Sequence, residues 1–245
     1  MLKSCSLLHR ITTSDTDLMG TWKCSSILGA MQDVAVEHCN QLGLGRDDIL
    51  KDRLAWVVVR MQLEMERFPV LGDNVRLETF HNPVRHTFFP RYFLIRDAKS
   101  EEIIGRASSL WMLLDLDSRK SVRAPQVLSK MPINRDMAPT LPLPGNAEKL
   151  NTPPLVFSLT PSFTDLDFNR HVNNTRYLDW CCNALGVDTL TDNVISGFII
   201  HYDREVVPTD QVRCELRRDE NRFSFLGLSG ENRHFEISGK LSPRI

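Results

Sequence analysis

Asp15-Thr-Asp17-Leu-Met19-Gly-Thr21 recurs as Asp165-Leu-Asp167-Phe-Asn169-Arg-His171, at an offset of 150 residues. Self-similarity at this distance predicts one structural unit built twice in the chain. Two further pairs follow. Met65-Glu66-Arg67-Phe68-Pro69 matches Arg204-Glu205-Val206-Val207-Pro208 at an offset of 139, and Asp73-Asn-Val-Arg76-Leu-Glu78 matches Asp210-Gln-Val-Arg213-Cys-Glu215. On the offset of 139, the first half carries 11 extra residues between the motifs, with the polar segment 45–53 as the expected insertion.

Each half reads in one order, a short strand, one helix and then several strands. In the first, residues 5–13 form a predicted strand. Cys24, Leu28, Met31, Ala35, His38 and Leu42 recur at spacings of four and three, which predicts a helix over 21–43 with one apolar face. Gly43 and Gly45 end it. Strands are expected at 54–68, 74–80, 87–97 and 103–116, with hairpin turns at Gly72-Asp73 and Ala98-Lys99-Ser100. In the second half, 155–163 is a predicted strand. A helix over 173–185 stops at Gly186 and carries a stripe of Leu178, Cys182 and Leu185. Strands are expected at 194–206, 211–218, 223–228 and 235–238. Pro125, Pro132, Pro139, Pro142, Pro144, Pro153 and Pro154 crowd the stretch between the halves, which reads as an ordered linker. A long helix wrapped by an antiparallel sheet, present twice, is an α+β tandem (double) hotdog.

The composition narrows the function. With 42% hydrophobic and 25% charged residues, the chain fits a soluble globular class. A net charge of -1 does not suggest a strongly basic nucleic-acid binder. No apolar run is long enough for a signal peptide or a membrane span. The six cysteines lack a CxxC pair or a disulfide-like spacing and read as free thiols in a reducing compartment.

The two copies differ where chemistry would lie. Asn169 and His171 stand where the first half has Met19 and Thr21. Methionine scarcely hydrogen-bonds, and threonine cannot replace imidazole as an acid or base, so the C-terminal half is expected to hold the chemistry.

The run Thr164-Asp-Leu-Asp-Phe-Asn-Arg-His-Val-Asn-Asn-Thr-Arg-Tyr-Leu-Asp-Trp180 closely resembles the signature of the acyl-acyl carrier protein thioesterases. Residues 56–80 and Ser109-Leu-Trp-Met-Leu-Leu-Asp-Leu-Asp-Ser-Arg119 also look like that family, and the resemblance covers about 5–240. It implies a catalytic set of Asp167, Asn169, His171 and Glu205. Plant members carry a cysteine directly after the glutamate. Val206 stands there in this chain, so the resemblance favours a carboxylate-based mechanism. Thioester hydrolysis needs an activated water and a stabilised oxyanion. Glu205 is expected as general base, and Asn169 to position the water or the carbonyl. His171 would polarise the carbonyl or protonate the thiolate, with Asp167 as orienting group. Unpaired N–H groups at the following helix N-terminus are expected nearby.

The implied organisation is an N-terminal hotdog at 1–124, degenerate and acyl-chain binding, a proline-rich linker at 125–154, and a catalytic hotdog at 155–245. The implied activity releases free fatty acid from acyl carrier protein bearing an acyl-phosphopantetheine and ends chain elongation. An acyl-CoA thioesterase, a non-catalytic acyl-binding protein and a hotdog dehydratase are the alternatives. No metal or organic cofactor is expected, because HExxH, a Gly-rich phosphate loop and a Cys/His cluster are all missing. Plant members carry a plastid transit peptide, whereas this chain starts at its first strand, so a bacterial cytoplasmic protein, monomer or homodimer, is the expectation.

Other residues have plainer readings. Asp167 and Asn169 could simply close a turn, and Asn173 or Asn174 could cap the helix. His201 is expected to be a structural histidine. Asp203, on the same expected strand face as Glu205, is a candidate supporting residue. Cys181, Cys182 and Cys214 read as core. Met31, Met61, Met65 and Trp111 read as core or tunnel lining. Two basic clusters, Arg119-Lys120 with Arg123 and Arg213 with Arg217, Arg218 and Arg222, read as surface charge or a carrier landing site.

Overall fold

A computed structural model describes residues 3–244. Met1, Leu2 and Ile245, the outermost positions of the two expected halves, lie outside them. The chain divides into two compact units. The first runs up to Trp22 and resumes over Ile27–Pro144; the second comprises Lys23–Ser26 and the chain from Gly145 onward.

In the first unit, leaving aside the opening residues 24–26 of α1, the chain runs β1 (Ser4–Arg10), α1 (Cys24–Gln41), α2 (Arg46–Leu50), β2 (Leu54–Met65), β3 (Asn74–His81), β4 (Phe88–Asp97) and β5 (Ile103–Asp115). The short β6 (Ser121–Val122) pairs with β5, and α3 (Pro125–Leu128) follows. The strands hydrogen-bond in the order β1-β3-β4-β5-β2, every pair antiparallel. The second unit runs β7 (Leu155–Leu159), α4 (Arg176–Leu185), α5 (Val187–Asp192), β8 (Asn193–Tyr202), β9 (Val212–Asp219), β10 (Arg222–Ser229) and β11 (Asn232–Pro243). Its order is β7-β9-β10-β11-β8, again antiparallel throughout. Counting strands from each unit's start, the two orders are identical. Each unit is a hotdog, and the repeat seen in the sequence is a repeat of topology.

The extra length of the first unit lies elsewhere than the sequence suggests. Both units place a short helix, α2 or α5, before the next long strand, so 45–53 is not itself the insertion. The main helix instead differs, with 18 residues in α1 and 10 in α4. The second main helix ends at Leu185, where the sequence predicts, because Gly186 turns to positive φ (86°), a conformation that glycine adopts without steric cost; it starts at Arg176, three residues later than expected.

A ten-residue helix is marginal on its own, so packing holds α4. Tyr177, Leu178, Trp180, Cys181 and Leu185 are buried, each large side chain contributing about 1.5–3 kcal/mol. Cys181, not the expected Cys182, completes the inward face. Tyr177 stacks on Phe235 of β11 with ring centroids 4.5 Å apart, and Phe235 meets Phe225 of β10 at 5.5 Å. A side chain at Gly227 would collide with the Phe235 ring, so this aromatic column needs glycine there.

The proline-rich stretch is tied down on each side. Val127 and Met131 join a core of Leu44, Ile49, Leu54, Phe89 and Leu113. Asn134 is fully buried and donates to the carbonyls of Lys3 and His81. Beyond Gly145, the Glu148 N–H donates to Ser238 Oγ, and Arg217 donates to the Thr152 carbonyl.

Candidate active site

The segment ahead of α4 is a closed turn whose shape follows from its polar residues. Ser162 and Asp165 form a reciprocal cap around a single 3-10 turn, Phe163–Asp165. Leu166 then pairs with Val172 across an antiparallel bridge. Inside it, the Asp167 N–H donates to the His171 carbonyl at 2.9 Å, and the Arg170 N–H to the Asp167 carbonyl at 3.0 Å. Asp167 Oδ1 accepts the Asn169 N–H at 2.8 Å, while Asn169 Nδ2 approaches Asp167 Oδ2 at 3.5 Å. Asp167 therefore shapes the turn and holds the Asn169 amide, and His171 emerges at its far end.

A second segment is fastened to this turn. Beyond β8 the Asp203 and Arg204 N–H groups donate to the His234 carbonyl. His234 Nδ1 lies 3.0 Å from the Glu205 carbonyl oxygen, and the Val172 N–H donates to the Val206 carbonyl at 2.9 Å. The Val206 backbone also hydrogen-bonds Tyr177, whose phenol is pushed up by burial and further by the charges of Asp167, Asp210 and Glu205. These ties bring His171 Nδ1 and Glu205 Oε2 to 3.5 Å, with the side chains 32% and 39% exposed. An imidazole and a carboxylate in contact and reachable from solvent can exchange a proton with a bound water.

Asp167, Asn169, His171 and Glu205 thus stand together. The helix N-terminus contributes less than its position in the sequence suggests. The Thr175 N–H is taken by Asn173 Oδ1, the Arg176 N–H by the Asn173 carbonyl and the Leu178 N–H by the Thr175 carbonyl. Asn173 organises that entry as an Asx turn. Tyr177 and His234 escape the sequence reading because they act through backbone ties. The run Asn173 to Trp180 contains Tyr177, but periodicity only marks it as a helix position.

The neighbours of Glu205 also need revision. The strand ends at Tyr202, so Asp203 and Glu205 both sit in the following loop and share no strand face. His201 is buried, with Nε2 2.7 Å from the Gly145 carbonyl oxygen, a structural role. Asp203 is held by Arg233 at 2.6 Å and does not support the pair. Cys181 and Cys214 are buried, and burial pushes both thiols up, that of Cys214 to about 12, which leaves them protonated and unreactive. In the basic cluster, Arg213 and Arg217 both pair with Glu215, Arg222 pairs with Glu148 and Asp219, and Arg218 donates to Thr189 Oγ1. That surface is largely charge-compensated.

The first unit repeats the turn without the reactive groups. The Asp17 N–H donates to the Thr21 carbonyl, the Gly20 N–H to the Asp17 carbonyl, and Asp17 Oδ1 accepts the Met19 N–H at 2.9 Å. The loops after β2 and β8 correspond at an offset of 137, not 139. Glu66 and Arg67 N–H groups donate to Ile104, as Asp203 and Arg204 do to His234; Trp22 donates to Pro69, as Val172 does to Val206; Val70 and Asp73 bond as Val207 and Asp210 do. Glu205 therefore corresponds to Phe68, and Glu66 to Asp203. The matching glutamates and prolines in the sequence are coincidental, because backbone pinning and not side-chain identity fixes the register of these loops. Three of the four candidate positions are replaced in the first unit, by Met19, Thr21 and Phe68, and only the turn-forming aspartate persists.

Another polar cluster is buried in the first unit. Arg91, 2% exposed, donates to Thr79 Oγ1 at 3.1 Å and to Cys39 Sγ at 3.2 Å, and contacts His38 and His81. Burial and the Arg91 charge drive His81 well below the ordinary histidine range. Among the described residues, no group of three or more His, Cys, Asp or Glu side chains is placed to hold a metal ion, and no helix is long and apolar enough to cross a membrane.

Comparison with known proteins matches two family models, the acyl-ACP thioesterase N-terminal domain over residues 7–130 and the acyl-ACP thioesterase C-terminal domain over 149–235. Acyl-[acyl-carrier-protein] hydrolase FATB3, chloroplastic, of Cuphea viscosissima is 29% identical over 196 residues, 76% of this chain and 48% of that protein. Dodecanoyl-[acyl-carrier-protein] hydrolase, chloroplastic, of Cinnamomum camphora is 29% identical over 204 residues, 74% of this chain and 50% of that protein. The chain spans about half the length of the curated relatives it matches. Among solved structures, an acyl-ACP thioesterase from Bacteroides thetaiotaomicron superposes with a TM-score of 0.88 at 20% identity, covering 98% of each chain. The 12:0-ACP thioesterase from Umbellularia californica gives 0.84 at 23% identity, also covering 98% of each. At these identities the structural likeness shows the fold.

Proposed function

Because this chain belongs to the acyl-ACP thioesterase family, we propose that it hydrolyses acyl-acyl carrier protein to free fatty acid, with the chemistry in its second unit. One observation carries the reading. A contacting imidazole and carboxylate, His171 and Glu205, stand 3.5 Å apart in that unit, while the first unit has Thr21 and Phe68 at the same positions. The reaction needs a base for water and a donor for the leaving sulfur, and only the second copy offers both.

In this mechanism a water between the two side chains attacks the thioester carbonyl carbon as Glu205 takes its proton. The Asn169 amide, steadied by Asp167, directs the carbonyl or the water. Collapse of the tetrahedral intermediate breaks the C–S bond, and the proton held by the His171–Glu205 pair passes to the thiolate. The products are a fatty acid and the carrier's free thiol, and the pair returns to its starting state. The first unit serves acyl-chain binding, for which its buried Met31, Met61 and Met65 supply an adaptable apolar lining. The six free cysteines suit a reducing compartment such as the cytoplasm.

The test is a Glu205→Ala variant on acyl-carrier and acyl-CoA substrates of matched chain length. The reading expects kcat to fall by about 10²–10⁴ and kcat/KM to favour the carrier-linked substrate. Undiminished turnover would remove Glu205 from the mechanism, and a preference for acyl-CoA would replace the substrate.

A further inference from the structure

Arg170 and Arg204 flank the pair, one immediately before His171 and the other immediately before Glu205, and both are exposed. Neither side chain makes a hydrogen bond or ion pair among the described residues. Exposed arginines are commonly no more than solvated charge, but the first unit supplies an internal comparison. At the position of Arg170 it has Gly20, with the same left-handed backbone, φ 75° against 64°. That conformation is free for glycine and strained for a residue with a side chain. At the position of Arg204 it has Arg67, whose guanidinium is held by Asp97 at 2.5 Å. So the copy with the His–Glu pair carries an arginine where the backbone favours glycine, and leaves a second one without the acid that neutralises its counterpart.

The surroundings make this arrangement informative. Asp167, Glu205 and Asp210 all exert their charge on Tyr177, so an anionic substrate meets carboxylates here whose repulsion cations at the edge would offset. We infer that Arg170 and Arg204 form a rim that binds the phosphate of the substrate's phosphopantetheine arm. This rests on the thioesterase reading and identifies where the part of the substrate remote from the thioester is gripped. The arm between phosphate and sulfur is about as long as four extended residues, on the order of 14 Å. With the thioester at the His–Glu pair, the phosphate lies toward solvent, and Arg170 and Arg204, exposed and next in the chain to His171 and Glu205, are the charged groups assigned to meet it there. Two guanidiniums offer the paired, charge-assisted donors that phosphate oxygens accept.

The experiment compares acyl-phosphopantetheine with acyl-pantetheine, which lacks only the phosphate, in wild type, Arg170→Gly, Arg204→Gln and the double variant. Arg170→Gly returns the turn to the residue its backbone favours, so folding is protected; Arg170→Asn is a second version that also tolerates this conformation. Arg222→Gln, at an arginine paired elsewhere, is the control. The wild type should prefer the phosphorylated substrate in kcat/KM. Each single variant should shrink that preference about tenfold, chiefly through KM, and the control should keep it. Calorimetric binding of 4′-phosphopantetheine against pantetheine gives a readout that needs no turnover. Selective binding without hydrolysis would overturn the thioesterase reading and leave the phosphate rim standing. An unchanged preference in the double variant overturns the rim, as does a loss confined to whole carrier protein, which would assign the arginines to carboxylates on the carrier surface.

Discussion

Phe68 in the first unit occupies the position that Glu205 holds in the second, each set one residue before the carbonyl that receives the turn's N–H, from Trp22 in one case and Val172 in the other. The same scaffold thus presents a phenyl ring in one copy and a carboxylate in the other, and the proposed division of labour follows from that exchange.

Substitutions at equivalent positions should behave differently. His171→Gln should lower kcat on acyl-carrier substrate by about 10²-fold or more, whereas Thr21→Ala should leave it within about twofold. Steady-state kinetics on the two variants checks this, and equal losses would contradict a single active copy.

The two turn aspartates separate folding from chemistry. Asp17→Ala and Asp167→Ala each remove the acceptor of a turn N–H, so each should cost about 1 kcal/mol of stability. Only Asp167→Ala should also reduce kcat, because it releases Asn169. Denaturant unfolding combined with kinetics distinguishes the effects.

Tyr177→Phe keeps the stack on Phe235 but removes the hydroxyl that meets the Val206 backbone. Stability should fall by about 1 kcal/mol, and kcat should fall by a larger factor than KM changes, since the loop positioning Glu205 loses its tie to α4. A crystal structure of the variant should show Glu205 displaced from His171.

Stability should depend on pH through the buried cluster at Arg91. Unfolded His81 takes its proton near the ordinary value of 6.5, while folded His81, disfavoured by burial and by the Arg91 charge, takes it only well below. Between those values the unfolded chain binds more protons, so this contribution is complete above about pH 6.5 and declines as pH falls. Melting temperatures measured from pH 8 to 5 should drop on the acid side, and His81→Gln should flatten that slope.

Much of the architecture was legible because it follows from patterning. The expected strand at 74–80 is β3, Asn74–His81, and that at 87–97 is β4, Phe88–Asp97, since turn residues and apolar runs mark their ends. The apolar spacing from Cys24 to His38 found α1 because every side chain on that face is buried. Readings failed where the main chain is held by partners remote in sequence. The strand expected at 194–206 stops at Tyr202, the inward residue of α4 is Cys181 and not Cys182, and the pairing of Glu66 with Glu205 is two residues out of register.

The sequence by itself determined that one unit is built twice and that the second copy carries an imidazole and an amide the first lacks, because repetition and residue chemistry are written locally. Only the tertiary structure decided that Glu205 meets His171 and that Phe68 is its counterpart. Those relations depend on backbone hydrogen bonds joining the turn at 165–172 to a loop more than thirty positions away, and such bonds are made by every residue alike and leave no mark on the amino-acid types that make them.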